Sequence, residues 1–238
     1  RDLHSFPTRR SSDLEPERYI QEHILQPLRM LHSTVAQPLP AELQPLMSQG
    51  YRFASDRQPR HFELVEGAPA GALSATASDM ARFMIAYLNG GELEGGRILQ
   101  PRTVDLMHAN QYRPAPAMNG FALGFYEQGR NGLRIIGHGG DTSYFHSDLS
   151  LLPTEKVGLF ISLNSMARDG GTVTVRAALS RAFLDRYFPY TIPSESSVPK
   201  EQSSAGRVAG WYLSSRRMET GLKLLQAVSQ ARVAAARF

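Results

Sequence analysis

A histidine followed by two glycines is the first group of residues whose chemistry can be read from this chain. His138 ends the apolar segment GLRIIGH, at the expected end of a strand, and Gly139 and Gly140 follow it. A histidine there can donate a hydrogen bond or carry a proton near neutral pH. Glycines at a strand edge let a ligand or another backbone approach closely. The triplet therefore predicts a place where a polar ligand meets the edge of a sheet.

The serines that could serve as a nucleophile are less clearly placed. A lysine three residues after a serine, on one helical turn, can help to remove the hydroxyl proton. Ser197 and Lys200 have that spacing, but Pro199 lies between them in a Pro/Ser-rich segment and prevents a helical turn. Ser143 and Ser147 follow the triplet and stay open as serines for which its histidine could be the general base.

Two other motifs have the letters of a catalytic loop. Tyr87 and Asn89 spell Tyr-x-Asn, but the tyrosine completes the apolar face of a predicted helix and the asparagine precedes two glycines. This pair is expected to serve packing and helix capping. Ser162 and Asn164 spell Ser-x-Asn at the end of a predicted strand. For Asn164, a turn-forming role and a substrate-binding role both stay open.

Caps and apolar residues three and four positions apart mark the helices. The segment SATASDMARFMIAYLNGG predicts a helix with Ser78 as N-cap, Asp79 in the first turn and Gly90–Gly91 as the stop. Three further helices are predicted near Pro16, from Pro101 and over residues 173–188. The apolar face of the last one is expected to contain Val175, Ala178, Leu179, Phe183 and Phe188.

After residue 120 the apolar pattern changes from a helical period to alternation. Strands are expected near residues 121–127, 132–138, 144–152 and 156–163. The connections GRNG, GGDTS and PTE have hairpin length, so the strands should form an antiparallel meander. The last predicted helix is long enough to cover one face of this sheet. The fold class is therefore predicted to be α+β.

Charge is unevenly distributed along the 238 residues, whose formal net charge is +4. Residues 200–238 hold seven basic and two acidic side chains, whereas residues 15–199 hold sixteen basic and eighteen acidic ones. A nucleic-acid-binding domain would carry basic residues beside stacking aromatic residues on its core, so no nucleic-acid partner is expected. The chain has no cysteine and no His-x-x-x-His spacing, so neither a disulfide framework nor a metal site is expected.

The two ends of the chain differ from its middle. Residues 1–14, RDLHSFPTRRSSDL, have no hydrophobic period and resemble a translated sequencing adapter, so we expect an artefact and exclude them from the fold. Residues 191–205 are a Pro/Ser-rich linker, and residues 206–238 are expected to begin a helical extension that the chain end cuts short. The domain that carries the chemistry is therefore expected over residues 15–190.

Residues 71–107 and 120–165, which include the His-Gly-Gly triplet, resemble the C-terminal half of the serine β-lactamase and penicillin-binding-protein family. The likeness is to the class C-like branch, which includes D-alanyl-D-alanine carboxypeptidases and esterases. It implies an incomplete β-lactamase/transpeptidase-like fold. It also implies a bacterial serine hydrolase that acts through an acyl-enzyme on a small-molecule or peptide substrate, with no cofactor. A periplasmic or extracytoplasmic location and a membrane tether beyond Phe238 would fit the resemblance.

The resemblance also implies roles for individual residues. In this family a Ser-x-x-Lys turn, a Tyr-x-Asn or Ser-x-Asn loop and a Lys-Thr-Gly or His-x-Gly strand form the site. His138, Gly139 and Gly140 match the strand, where the histidine would meet a substrate carboxylate or the proton relay. The amide of Asp141 would be one of two oxyanion donors. Asn164 resembles a substrate-facing asparagine of the family.

The nucleophile is expected to lie outside the chain. The Ser-x-x-Lys turn and the true Tyr-x-Asn loop should precede Glu15, where the adapter-like residues stand, so the fragment by itself should be inactive. Two other functions stay open: a non-catalytic relative that binds peptidoglycan or peptides, and a hydrolase that uses a serine near His138. An upstream sequence without Ser-x-x-Lys would favour the first, and turnover by the fragment would favour the second.

Overall fold

The computed structural model describes residues 15–65, 70–113, 119–168, 171–190, 210–213 and 230–233. The chain divides into two compact units, Arg1–Tyr190 and Thr191–Phe238. The first unit contains a four-stranded antiparallel sheet with helices on both faces. Among the described residues, none of the helices has the length and apolarity that crossing a bilayer requires.

The first unit begins with the predicted helix at Pro16. Helix α1 (Pro16–Ile20) continues as a π-helical turn, Gln21–Leu25, and Pro16 occupies its first turn. Leu25 and Leu28 are buried in a small core that they share with Ala86 of the next helix. The described residues between this turn and the next helix are irregular apart from a short 3₁₀ turn, Gln44–Leu46.

Helix α2 (Ala77–Leu88) is capped two residues earlier than predicted. Thr76 is the N-cap, with an extended backbone and a hydroxyl that accepts the Asp79 N–H at 3.2 Å, so the assignment of Ser78 is wrong. Gly90 and Gly91 end the helix as predicted, with φ of +70° and +89°. A two-stranded ribbon (β1, Glu92–Leu93; β2, Gly96–Arg97) and helix α3 (Pro101–His108) follow.

The predicted antiparallel meander is confirmed. Its strands pair in chain order and are β3 (Tyr126–Glu127), β4 (Ile136–Asp141), β5 (His146–Leu152) and β6 (Val157–Leu163). Strand β4 pairs with β5 over its full length, whereas β3 pairs only with Ile136 and Gly137. Residues 138–141 of β4 therefore extend beyond the end of β3.

The first two strands differ from the prediction because the chain turns where extension was expected. Gly124 has φ of +79°, and the Ala122 N–H donates to the Phe125 carbonyl at 2.8 Å, so residues 121–125 are not a strand. Positive φ at Asn131 and Gly132 makes a second turn, after which β4 begins at Ile136. His138 is therefore inside its strand rather than at its end, and Asp141 is the last strand residue.

The two faces of the sheet pack against different helices. On the front face, Ile136, Leu149 and Leu151 bury against Met84 and Tyr87 of α2. On the back face, Ile135 and Leu152 bury against Leu184 of helix α4 (Thr172–Tyr187). Alternate residues of a strand share a face, so these contacts fix the side on which each residue of β4 lies.

Helix α4 covers the back face as predicted, and Phe183 and Phe188 of the predicted apolar face pack against the back-face core. The other three predicted residues do not. Val175 and Leu179, expected to face inward, are 40% and 49% exposed, and Ala178 is exposed as well. Arg176 is instead 8% exposed and lies beneath the helix. A charged side chain takes the inward position because two strands offer it hydrogen-bond acceptors, as the site geometry shows.

The described residues of the second unit form strands, in a region where a helical extension was predicted. Strands β7 (Gly210–Leu213) and β8 (Gln230–Val233) pair antiparallel. Two adjacent aromatic residues, Trp211 and Tyr212, favour a strand, which is the signal that the helical prediction missed. The remaining residues of the predicted linker and extension lie outside the described part of the chain.

Candidate active site

The end of β4 directs backbone groups away from β5 and toward the sheet edge. The Gln128 N–H donates to the Ile135 carbonyl at 2.8 Å, and the Gly139 N–H donates to Tyr126 Oη at 2.6 Å. Backbone groups of alternate residues in a strand point to the same side. Asp141 is the next residue in this series, so its N–H also points to the edge, beyond the end of β3.

His138 and Gly140 lie on the front face of β4. His138 is opposite Leu149 and Gly140 is opposite Ser147, and Leu149 belongs to the front-face core. The His138 side chain is exposed, and its ring centroid is 5.5 Å from that of Tyr126. The front face and the edge of β4 thus present an imidazole, a glycine and the outward-pointing N–H of Asp141, whereas the Gly139 N–H is already bound by Tyr126 Oη.

The glycines of β4 differ in the space around them. A methyl group on Gly137 would collide with the Leu149 carbonyl oxygen, and one on Gly139 would lie 3.1 Å from Tyr126 Oη. A methyl group on Gly140 would have no atom within 4 Å. Gly137 is therefore required by close packing, Gly139 has little spare room beside Tyr126, and Gly140 borders open space on the front face.

The Asp141 carboxylate is anchored on the back face. Arg176 Nη2 donates to Asp141 Oδ1 at 2.7 Å, and His146 Nδ1 lies 2.7 Å from the same oxygen. Burial works to raise the pKa of Asp141, but the hydrogen bonds from His146 and Arg176 outweigh burial and hold this pKa below its usual range. The Asp141 side chain is therefore bound on the back face of the sheet, whereas its N–H points to the edge.

The hairpin between β4 and β5 is held by an acidic residue that the sequence reasoning missed. The Ser143 N–H donates to both carboxylate oxygens of Glu63, at 3.0 and 2.9 Å. Burial works to raise the pKa of Glu63, but hydrogen bonds from Ser143, Thr142 and Tyr144 lower it overall. Ser143 thus has a structural partner 80 residues away in the sequence.

The other serine candidates have partners elsewhere or lie outside the described residues. Ser147 Oγ is 2.9 Å from Ser162 Oγ on the neighbouring strand, rather than paired with the imidazole of His138. Ser197 and Lys200 fall outside the described residues. Among the residues that the structure describes, no group of three or more histidine, aspartate or glutamate side chains is placed to hold a metal ion.

The two asparagine motifs are placed differently. Tyr87 is 1% exposed in the front-face core and Asn89 is the C-cap of α2, so the packing and capping prediction is confirmed. Asn164 Nδ2 donates to the Gln49 carbonyl at 2.8 Å, and the Asn164 carbonyl accepts the Tyr51 N–H at 2.8 Å. Asn164 therefore ties a loop to the end of β6, and its side chain is exposed beside that contact.

A cavity of about 400 Å³ lies on the back face, not beside His138. It is bounded by helix α4 and by the strands that carry Gly139, Asp141 and Asp148. Burial raises the pKa of Asp148, although the Ser150 hydroxyl donates to its carboxylate at 3.2 Å. We place the candidate site on the front face and edge of β4, because those surfaces carry the imidazole and the outward amides.

Strand β3 is secured by a buried carboxylate. Glu127 accepts hydrogen bonds from the Gly120 N–H and Asn110 Nδ2, both at 2.9 Å. It also pairs with Arg113 at 2.8 Å and Arg134 at 2.9 Å. This cluster fixes the neighbouring residue Tyr126, whose hydroxyl contacts β4, and so supports the position of the candidate site.

Comparison with known proteins defines the class of protein. The sequence model of the Beta-lactamase family matches residues 8–182, so the chain belongs to the Beta-lactamase family. The match begins within the adapter-like residues and ends in helix α4. The predicted β-lactamase/transpeptidase-like fold, with its antiparallel sheet and covering helix, is confirmed.

Individual relatives are distant and longer. A human protein described as beta-lactamase-like 1 is 26% identical over 165 residues, which are 68% of this chain and 31% of that protein. A class C beta-lactamase superposes with a TM-score of 0.58 at 19% identity, over 73% of this chain and 53% of the other. The octameric penicillin-binding protein homologue from Pyrococcus abyssi gives 0.55 and 22%, over 84% and 44%. The chain thus spans about half or less of each of these proteins.

Proposed function

We propose that this chain is the C-terminal part of a serine hydrolase that forms an acyl-enzyme with an ester, amide or β-lactam. The observation that carries this proposal is the geometry of β4. A His-Gly-Gly strand extends beyond its neighbour, with its imidazole on the front face and its alternate N–H groups at the edge. Membership of the Beta-lactamase family supports the same chemistry.

Each residue of the strand has a role in the proposed reaction. The N–H of Asp141 donates to the oxyanion that forms when the serine attacks the substrate carbonyl, and the N–H of the nucleophilic serine is the second donor. His138 donates a hydrogen bond to a substrate carboxylate or to the group that carries the proton. Gly140 leaves room for the substrate backbone, and Asn164 contributes an amide from the end of β6.

The nucleophile belongs to the part of the protein upstream of Glu15. A Ser-x-x-Lys turn there would supply both the attacking hydroxyl and the amine that takes its proton. The contact of Ser147 Oγ with Ser162 Oγ supports this assignment over Ser147. Ser143 is tied to Glu63 through its backbone N–H, so labelling must test its hydroxyl. The 238-residue chain is therefore proposed to be inactive by itself.

Acylation tests this proposal directly. The 238-residue chain should show no labelling by a tagged β-lactam or fluorophosphonate and no ester hydrolysis above the background reaction. The full-length protein, meaning this chain with its natural sequence upstream of Glu15, should be labelled once, on the Ser-x-x-Lys serine. An upstream sequence without this motif would support a non-catalytic binding protein instead. Stoichiometric labelling of Ser143, Ser147 or Ser197 in the short chain would refute the missing nucleophile.

Gly140 tests which face of β4 meets the substrate. Because an added methyl group meets no atom within 4 Å, Gly140→Ala should leave the thermal unfolding temperature close to the wild-type value. The same methyl group would occupy the space proposed for substrate, so kcat/KM of the full-length protein should fall about 10- to 100-fold. If the folded Gly140→Ala variant keeps the wild-type kcat/KM, the substrate does not bind beside Gly140 and this prediction is wrong.

A further inference from the structure

A buried arginine joins helix α4 to the catalytic end of the sheet. Arg176 is 8% exposed. Its Nη2 donates to Asp141 Oδ1 at 2.7 Å, and its Nη1 donates to the Ser147 carbonyl at 2.5 Å. Asp141 and Ser147 belong to adjacent strands, so one guanidinium holds both. A rigid, forked donor suits this bridge better than a flexible ammonium group.

A second side chain converges on the same carboxylate oxygen. His146 is 6% exposed, and its Nδ1 lies 2.7 Å from Asp141 Oδ1. These contacts keep the pKa of Asp141 low against the effect of burial, so the carboxylate is ionised at neutral pH. The Arg176 side chain is only 10% exposed, so loss of the Asp141 carboxylate would leave its guanidinium buried without a counter-charge.

The contact between Arg176 and Asp141 matters because the two residues before Asp141 have little conformational preference of their own. Gly139 and Gly140 come immediately before Asp141, and glycine restricts the chain less than any other residue. This part of β4 pairs with β5 as far as Asp141, but on the edge side no β3 residue pairs with it. The Asp141 side chain is held from the back while its N–H points to the edge, so the anchor limits rotation of that amide.

We propose that Arg176 is a positioning residue, which acts through the Asp141 carboxylate to aim the Asp141 N–H at the developing oxyanion. This inference rests on the proposed function, in which that N–H is an oxyanion donor. Arg176 lies on the back face and touches no substrate. A preorganised donor stabilises the transition state without rearranging during the reaction. Loss of the anchor should therefore weaken transition-state binding more than substrate binding.

The test compares two arginines of α4 in the full-length protein. Arg181 is the matched control, because it also borders the back-face cavity but is exposed, with its Nε donating to Ala177 of its own helix. Arg176→Ala should lower the acylation rate constant and the affinity for a boronic acid, a tetrahedral mimic, by a similar factor of about 10 to 100. KM should stay within about threefold of the wild-type value, and Arg181→Ala should change none of these quantities.

Two further measurements keep the inference falsifiable. Amide hydrogen exchange at Thr142, whose N–H donates to the Phe145 carbonyl at 2.9 Å, should be faster in Arg176→Ala, while exchange at Phe160 in β6 should be unchanged. If Arg176→Ala fails to fold, Arg176→Lys replaces it, since lysine keeps the charge but lacks the fork. Lower stability with wild-type acylation and boronate affinity would show a structural role only and overturn the inference. If the wild-type full-length protein is never acylated, the proposed function fails, and unchanged exchange at Thr142 would then separately overturn the positioning role.

Discussion

Replacing His138 by alanine in the full-length protein should lower turnover on the order of a hundredfold, a typical effect for a group that assists proton transfer. Acylation by a labelled β-lactam should stay detectable, because His138 assists the reaction and does not attack the substrate. Steady-state turnover and the time course of labelling would measure the two effects separately.

His23 offers a control for this substitution. It is exposed on the turn that follows α1, so His23→Ala should keep the wild-type rate. A wild-type turnover in His138→Ala would reduce the imidazole to a surface residue of β4. Complete loss of labelling with a wild-type unfolding temperature would instead make it essential for acylation, which the proposed role does not predict.

Replacing Glu127 by glutamine should destabilise the full-length protein by about 2–3 kcal/mol, because a buried carboxylate that accepts charged hydrogen bonds would be lost. Its side chain is 5% exposed, and glutamine would direct amide hydrogens toward donors such as Gly120 N and Arg134. Urea unfolding midpoints at pH 7 would measure the difference. Glu94→Gln is the control: this side chain is 50% exposed beside Arg82, and its loss should cost less than about 1 kcal/mol.

The pH dependence has a defined sign. Burial works to raise the pKa of Glu127, but hydrogen bonds from Gly120 and Arg134 and the nearby charge of Arg113 lower it overall. A carboxyl group with a lowered folded-state pKa stabilises the fold at pH values above its unfolded-state pKa, about 4.3. This contribution is lost as the pH falls through the folded-state value. The stability difference between wild type and Glu127→Gln should therefore shrink below about pH 4, and a constant difference would contradict the assignment.

Local signals in the sequence were sufficient for much of the fold. Alternation identified β5 and β6, and glycines after a 3.6-residue period identified the end of α2. The same signals failed where a turn was hidden in an apolar segment, as at Gly124, because a positive φ there interrupts a stretch that reads as a strand. They also failed at Trp211, where a pair of aromatic residues outweighed the helical pattern that follows.

The sequence identified the candidate catalytic residues of β4, but not the long-range contacts that hold this strand in place. His138 and the two glycines stand out because of their types and order. The contacts of Asp141 with Arg176 and of Ser143 with Glu63 join residues 35 and 80 positions apart. Such contacts depend on how a helix or loop packs on the sheet, which no local pattern encodes. The one available signal was an arginine within a helix expected to cover the sheet.

The outward amide at the end of β4 has a genetic consequence. An N–H group belongs to the main chain, so exchanging the side chain at position 141 leaves the proposed oxyanion donor in place. Proline is the only encoded amino acid that would delete it, and no single-nucleotide change converts an aspartate codon to a proline codon. The donor is thus protected from most point mutations, whereas the imidazole of His138 and the guanidinium of Arg176 can each be lost by one base change. Random mutagenesis of the gene should accordingly recover defects at the supporting side chains and miss the amide that they serve.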